Sequence, residues 1–367
     1  MTHAPGYFEG HMRLSEWLRI GKAPRTEAFT EEDQTKTDRL RALYELIGLP
    51  TTLTVTFPQA AVLLPSDAYR TFREQAGDNP FALRLRSSDA VGTLARNRGA
   101  SVTELVAWAV RLEGLPADTL YEFEPHIDAD LSAILVLNEH GMSVEAVRGP
   151  LVQLSKGLYD EATAYVRQGT AQEVVTNAPD ADLRSFLGDV LAALTISKNE
   201  VAERLSEQGF HTNGCYLTGY FEAIRSEGST FFVDYNRVLG RTVMPVNASA
   251  SNVNPPETEG QHIIVSGRVG SPGRVSGIAR VIDSATTEGA IGEGEILVCR
   301  FTSPDLAPLI AKSAGVVTEI GGVLSHAAVL CRELGIPSIV GARGALSQIV
   351  NGDYIEVDAN NGKVRLF

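Results

Sequence analysis

Positive charge is scarce in this 367-residue sequence: 32 Lys and Arg stand against 45 Asp and Glu, a net −13 with the histidines neutral. Without a basic footprint, neither a nucleic acid nor a polyanionic membrane surface is expected as a partner. That acidity leaves ATP open, because local cations and a metal ion can handle its phosphates. Cysteine is scarce too. Cys215, Cys299 and Cys331 are odd in number and far apart, so they imply neither a disulfide framework nor a zinc knuckle. No apolar run reaches about 18 residues. The opening MTHAPGYFEGHMRLSEW also lacks the cationic–apolar pattern of a secretory signal, so a cytoplasmic protein is expected. There is no internal repeat and no long low-complexity tract.

What is present is globular: 44% hydrophobic and 21% charged residues, in a chain long enough for two or three cores. The clearest break is TVMPVNASASNVNPPETEGQ, residues 242–261, rich in Pro, Asn, Ser and small residues. Extended, it spans at most roughly 65–70 Å, enough to tether a domain that moves. The domains expected are 1–241, a linker at 242–261, and 262–367. Beyond the linker, strand-like runs at 263–269, 277–282, 295–299, 314–319, 338–341, 353–358 and 363–367 surround helical runs at 304–313 and 326–334. Before it, 28–48, 66–76 and 101–113 read as helices, and PFALRLRSS (80–88) as a strand. DTLYEFEPH is a further strand, and SAILVLNEHGMSVEAVRG is a hairpin turning at Glu139–Gly141. Leu183, Leu187, Val190, Leu191 and Leu194 recur at helical spacing.

Two places carry chemistry. In GGVLSHAAVLCRELGIPSIVG (321–341), His326 follows Ser325, a good N-cap, and Gly335-Ile336-Pro337 ends the run like a helix C-terminus. The imidazole then sits in a first helical turn, where backbone N–H groups and the helix dipole favour an anion. Gly321 and Gly322 clear space for something large. The second place is GYFEAIRSEGSTFFVDYN, a hairpin turning at Glu227-Gly228. Asp234 and Asn236 leave one face of a strand, and the turn brings Glu222 close. Two carboxylates and an amide oxygen suit Mg²⁺ on nucleotide phosphates; a plain polar sheet face is the other reading of the same residues.

The spacing of Glu222, Asp234 and Asn236 is similar to the metal-binding end of ATP-grasp enzymes, which implies that the three hold Mg²⁺–ATP. LYEFEPHIDADLSAIL resembles the ATP-grasp hinge strand, implying Glu122 and Phe123 at the adenine. ALRLRSSD is similar to a segment in the ATP-binding half of phosphoenolpyruvate synthases, implying Arg86, and also Arg84, as phosphate ligands. Residues 268–367 resemble the mobile phosphohistidine domain shared by pyruvate phosphate dikinase, phosphoenolpyruvate synthase, rifampin phosphotransferase and L-glutamine kinase. SPGRVSGIARV and TSPDLAPLIAKSAGVVTEIGGVLSHAAVLCRELGIPSIVG carry that resemblance. It implies His326 as the catalytic histidine, in an environment formed by Gly321, Gly322, Ser325 and Arg332.

Leu324 stands where the dikinases commonly have a threonine, and GGVLSH resembles the rifampin-phosphotransferase and glutamine-kinase branch instead. The sequence ends after the mobile-domain pattern, so no pyruvate-binding barrel is expected. Residues 150–215 offer no obvious acceptor domain, and the first hundred residues show no clear glycine-rich phosphate lid. The expected class is therefore α/β (α+β), with a reduced ATP-grasp-like N-terminal domain and a compact β/α swivelling phosphohistidine domain.

The function so implied is an ATP-dependent dikinase-type phosphotransferase. It would pass a phosphoryl group from ATP through His326 to a small-molecule acceptor, releasing AMP and phosphate. Two alternatives stay open: a phosphohistidine donor serving a partner protein that holds the acceptor, and a decayed ATP-binding module. The acceptor, the transferred phosphoryl (β or γ) and any homo-oligomer are left undefined by the residues.

Overall fold

A computed structural model of the chain describes residues 14–87, 93–158, 163–167, 175–176, 181–242, 262–282 and 291–367. All of the expected linker except Thr242 lies outside those residues, as do the first thirteen residues of the opening segment read for a signal.

Three sheets of four or more strands organise the described residues. A small antiparallel sheet runs in the order Val55–Pro58, Leu120–Pro125, Phe81–Arg86, Thr93–Ala100. Its apolar face packs Leu83, Leu85, Tyr121 and Phe123 against helices Asp67–Ala76 and Val102–Ala109. The second helix starts at Ser101, whose hydroxyl accepts from the Glu104 N–H while the Glu104 carboxylate accepts from the Ser101 N–H. This reciprocal cap satisfies two donors that the first turn would otherwise leave open.

A larger antiparallel sheet runs Ser229–Asn236, Gly219–Ser226, Leu131–Asn138, Gly141–Arg148, Thr163–Arg167, Val175–Thr176. Its central strand, LSAILVLN, is buried at every position. Successive side chains alternate between faces. Leu131, Ala133, Leu135 and Leu137 meet helices Ala181–Ala193 and Lys36–Ile47 on one side. Ile134 and Val136 enter a different core on the other.

The third sheet runs His262–Ser266, Lys363–Leu366, Tyr354–Asp358, Arg274–Ile282, Ile296–Cys299, Gly315–Thr318, Ser338–Val340, Arg268–Ser271. Its four middle strands, from Arg274–Ile282 to Ser338–Val340, are parallel. The helix His326–Leu334 packs on it with seven of its nine residues buried.

The core on the far face of LSAILVLN crosses the 242–261 segment. Trp17, Leu18, Ile134, Tyr220 and Leu239 share it with Leu324, Ala328, Leu330 and Ile310. Helices Leu14–Ile20 and Thr26–Gln34 lie between the two halves. The expected single helix at 28–48 is instead two, broken at Thr35, which adopts φ −98°, ψ 8°. Glu32 is 4% exposed and accepts from the N–H, Nε and Nη2 of Arg237. It thereby ties the first helix of that pair to the end of the Ser229–Asn236 strand. No helix among the described residues is long and apolar enough to cross a membrane.

Candidate active site

The hairpin at 219–236 turns at Glu227 and Gly228, both with positive φ (48° and 78°), as a tight two-residue turn of this twist requires. From the turn the ladder runs regularly to Ala223↔Phe232, then slips by one residue to Glu222↔Asp234. Val233 is the extra residue of a β-bulge. Without it, Val233 would stand opposite Glu222, and Asp234 would project from the other face. The bulge thus makes the carboxylate pair. Val233's carbonyl accepts from the Lys36 ammonium at 3.1 Å.

Glu222 and Asp234 line a cleft of about 440 Å³ between the small and large sheets. Burial and the charge of Asp234 together push the Glu222 carboxyl well above the usual carboxylate range. Tyr220 donates its hydroxyl to Glu222 at 2.7 Å. Asn236 also lines the cleft, but its side-chain oxygen already accepts from the Leu239 N–H at 2.8 Å, capping the helix Arg237–Thr242. Among the described residues no three His, Cys, Asp or Glu side chains gather as a metal site. What the hairpin offers Mg²⁺ is two carboxylates whose mutual repulsion a cation would relieve. That fits an ion completed by substrate phosphates better than one caged by protein.

The cleft's cations come from paired strands. Arg84 faces Arg96 across the ladder and Ala82 faces Arg98, and both strands contribute to the wall. Arg96 and Arg98 were not expected from the sequence, although the alternation in LARNR puts both on one face. Arg86 is not in the lining: it is held by Glu122 at 2.5 Å.

The expected hinge residues Glu122 and Phe123 also stand apart from the cleft lining. Phe123 is fully buried in an aromatic cluster, and its strand is paired on both sides, to Val55 and to Leu83, so no backbone edge is left for a base. Glu122 faces a narrow recess beside the cleft. The residues that do reach the cleft are Glu124 to Ala129, where the chain leaves the small sheet for the large one.

His326 lines the same cleft. Ser325 caps its helix, accepting from the Ala328 N–H, and Gly335 ends it in the left-handed conformation. The imidazole is 9% exposed, with its ring edge-on to Trp17 at 5.7 Å between centroids. Burial, reinforced by the Lys156 ammonium, lowers its pKa to about 4 against an opposing pull from Asp234. At neutral pH it is an uncharged base carrying a lone pair.

Gly321 does not open space for a ligand. Its Cα lies where a side chain on Gly157 would begin, 3.0 Å from that ideal Cβ, so the glycines admit the backbone of another loop. Arg332 likewise faces inward. It donates to the Val323 carbonyl, and burial lowers its pKa to about 10.

Comparison with known proteins finds its matches in the part of the chain that holds His326. Residues 291–362 match the PEP-utilising enzyme, mobile domain. Over 108 residues the chain is 40% identical to the probable phosphoenolpyruvate synthase of Pyrococcus abyssi (strain GE5 / Orsay), covering 29% of this chain and 13% of that protein. It is 42% identical over 110 residues to the prodigiosin synthesizing transferase PigC of Serratia marcescens, covering 30% and 12%. The chain spans between 12% and 18% of the length of the curated relatives it matches. Among solved structures, the VanG D-Ala:D-Ser ligase of Enterococcus faecalis covers 56% of this chain and 53% of its own, at 14% identity and a TM-score of 0.30. A likeness that low carries no argument. The chain thus has a mixed α/β fold containing a mobile domain of the PEP-utilising type.

Proposed function

We propose that this chain is an ATP-dependent phosphotransferase, with His326 as the covalent carrier between ATP and a small-molecule acceptor. One observation carries the reading: an uncharged, buried histidine opens into the same cleft as a carboxylate pair and an arginine cluster. Those are the parts that phosphoryl transfer from a nucleotide needs. Arg84, Arg96 and Arg98 orient the phosphates from the small sheet, and Glu124 to Ala129 flank the base. Glu222 and Asp234 would hold Mg²⁺, with Asn236 lending its remaining lone pair. The ion would offset phosphate charge as the transferred group moves. His326 needs no base to activate it, because burial already keeps its lone pair available. An N–P bond forms at the imidazole as a P–O bond of ATP breaks, and the charge leaves on the nucleotide.

In this reading residues 1–241 form the ATP-grasp-like half and 262–367 the swivelling carrier, joined by 242–261. The coproducts are AMP and phosphate: attack at the β-phosphorus leaves AMP and a pyrophosphoryl group on His326, and water then cleaves the terminal P–O bond to release phosphate. The test is incubation of purified protein with Mg²⁺, ATP and a metabolite pool, with nucleotides and new phosphorylated species resolved by mass spectrometry. AMP and a phosphorylated metabolite are expected from the wild type and neither from His326→Ala, which should still bind ATP. Unchanged product formation by the alanine variant would remove His326 from the reaction.

A further inference from the structure

The loop before His326 is held by a residue from the opposite half of the chain. Glu145 lies on Gly141–Arg148, opposite Ile134 in the ladder, and is 1% exposed. Its Oε1 accepts from the Val323 N–H at 2.9 Å and from Arg268 Nη1 at 2.8 Å; its Oε2 accepts from the Leu324 N–H at 3.0 Å. Arg268 reaches on to the Gly321 carbonyl at 2.8 Å. Among the described residues, the groups hydrogen-bonded to the Glu145 carboxylate belong to the part of the chain after residue 261.

We propose that Glu145 is a positioning residue that fastens the 321–324 loop into the cleft and so sets His326 for attack on the nucleotide. Glu145 does not line the cleft and touches no reacting atom. Leu324 stands two residues before His326, and Ser325 between them caps the carrier helix, so fixing the loop fixes the imidazole. A carboxylate is required by the partners themselves. Two N–H groups and a guanidinium are all donors, and only an acceptor-only head satisfies them together. Buried away from water, the same carboxylate would be costly without them. The contact is therefore specific to the docked arrangement, and a carrier that left the cleft would leave Glu145 to be solvated. Gly157 complements the latch, because a Cβ there would stand 3.0 Å from the Gly321 Cα and press the loop outward by a few tenths of an ångström.

This inference rests on the phosphotransfer reading for its consequence, and on geometry alone for the docking. The experiment therefore has two arms on the full chain. In Glu145→Gln the amide nitrogen turns a donor toward other donors while volume is kept. Single-turnover labelling of His326 from ATP should slow by roughly 30-fold, with ATP affinity unchanged, because positioning is lost and nucleotide contacts are not. Diethyl pyrocarbonate modification of His326, read by peptide mass spectrometry, should instead accelerate by about tenfold or more as the loop loosens. Glu145→Asp, which keeps the acceptor head, should recover part of both effects. Should Glu145→Gln fail to fold, Arg268→Gln carries the test from the other side, with the same signs and smaller size. Wild-type rates in both arms for the folded variants would overturn the proposal. A wild-type protein that takes no label from ATP would contradict the phosphotransfer reading, and the pyrocarbonate arm would then decide the docking claim alone.

Discussion

The two halves of this molecule build their share of the cleft in different ways. The half after residue 261 places its share in one continuous stretch: loop, N-cap, histidine and helix follow one another from Gly321 to Gly335. The other half assembles its share from separated pieces, namely Asp33 and Lys36 near the first helices, Arg84, Arg96 and Arg98 on two strands, the 124–129 connection, and the bulged hairpin. A continuous site carries its geometry in local spacing. A dispersed one depends on register, and a single slipped residue decides which side chains point inward.

If the half that holds His326 must travel between two sites, chain slack is its largest vulnerability. The Asn-Ser-Pro composition of 242–261 suits such slack, and deleting ten of those residues removes up to roughly 35 Å of reach. Overall turnover should be lost, while either self-phosphorylation or discharge to the acceptor survives. Normal rates for both half-reactions and for turnover would mean that His326 serves one composite site.

The dispersed half is probed next. Asp234→Asn removes one of the two charges available to the metal, and should cost a factor of roughly 10² or more in Mg²⁺-dependent activity. Wild-type kinetics would leave the hairpin a polar sheet face.

A pH effect of intermediate size follows from the buried histidine. Its folded pKa of about 4 lies below its ordinary value, so the unfolded chain takes up a proton first as pH falls. The contribution is therefore fully present above about pH 6.5 and is lost progressively toward pH 4. By pH 5 the loss amounts to about 2 kcal/mol. Denaturant midpoints at pH 7 and pH 5 should differ by more in the wild type than in His326→Gln, whose side chain does not titrate. Equal differences would mean that the imidazole is solvated.

The smallest effect separates the arginines. Arg96→Ala should raise the KM for ATP by about tenfold through a lost phosphate contact. Arg86→Ala should leave KM alone and lower thermal stability, because it strips Glu122 of its nearest cation. The opposite pattern would restore the sequence-based assignment of Arg86.

The contrast between the halves also explains what the sequence could disclose. The hairpin, its turn at Glu227-Gly228 and the shared face of Asp234 and Asn236 were legible, because turn chemistry and alternation are local. The bulge at Val233 was not, since nothing in STFFVDYN marks the slipped register. The burial of the expected hinge residue was not legible: LYEFEP reads as a strand, but only the pairing on both its sides shows that Phe123 is sealed in. Gly321 and Gly322 were legible as small residues but not as a seat for Gly157, which is more than a hundred residues away. Glu145 left one faint trace, a lone carboxylate in the otherwise apolar strand MSVEAV. Its partners, Arg268, Val323 and Leu324, lie on the far side of the chain, where no spacing rule reaches.

The central claim is that His326 carries the phosphoryl group, and the most direct measurement is the site and chemistry of the label. Protein incubated with Mg²⁺ and ATP labelled separately at the β and γ phosphorus should be digested under alkaline conditions and mapped by mass spectrometry. A single phosphorylated peptide containing His326 is expected, stable to base and lost in acid, as befits an N–P bond. An acid-stable label, or label on any other residue with His326 unmodified, would contradict it.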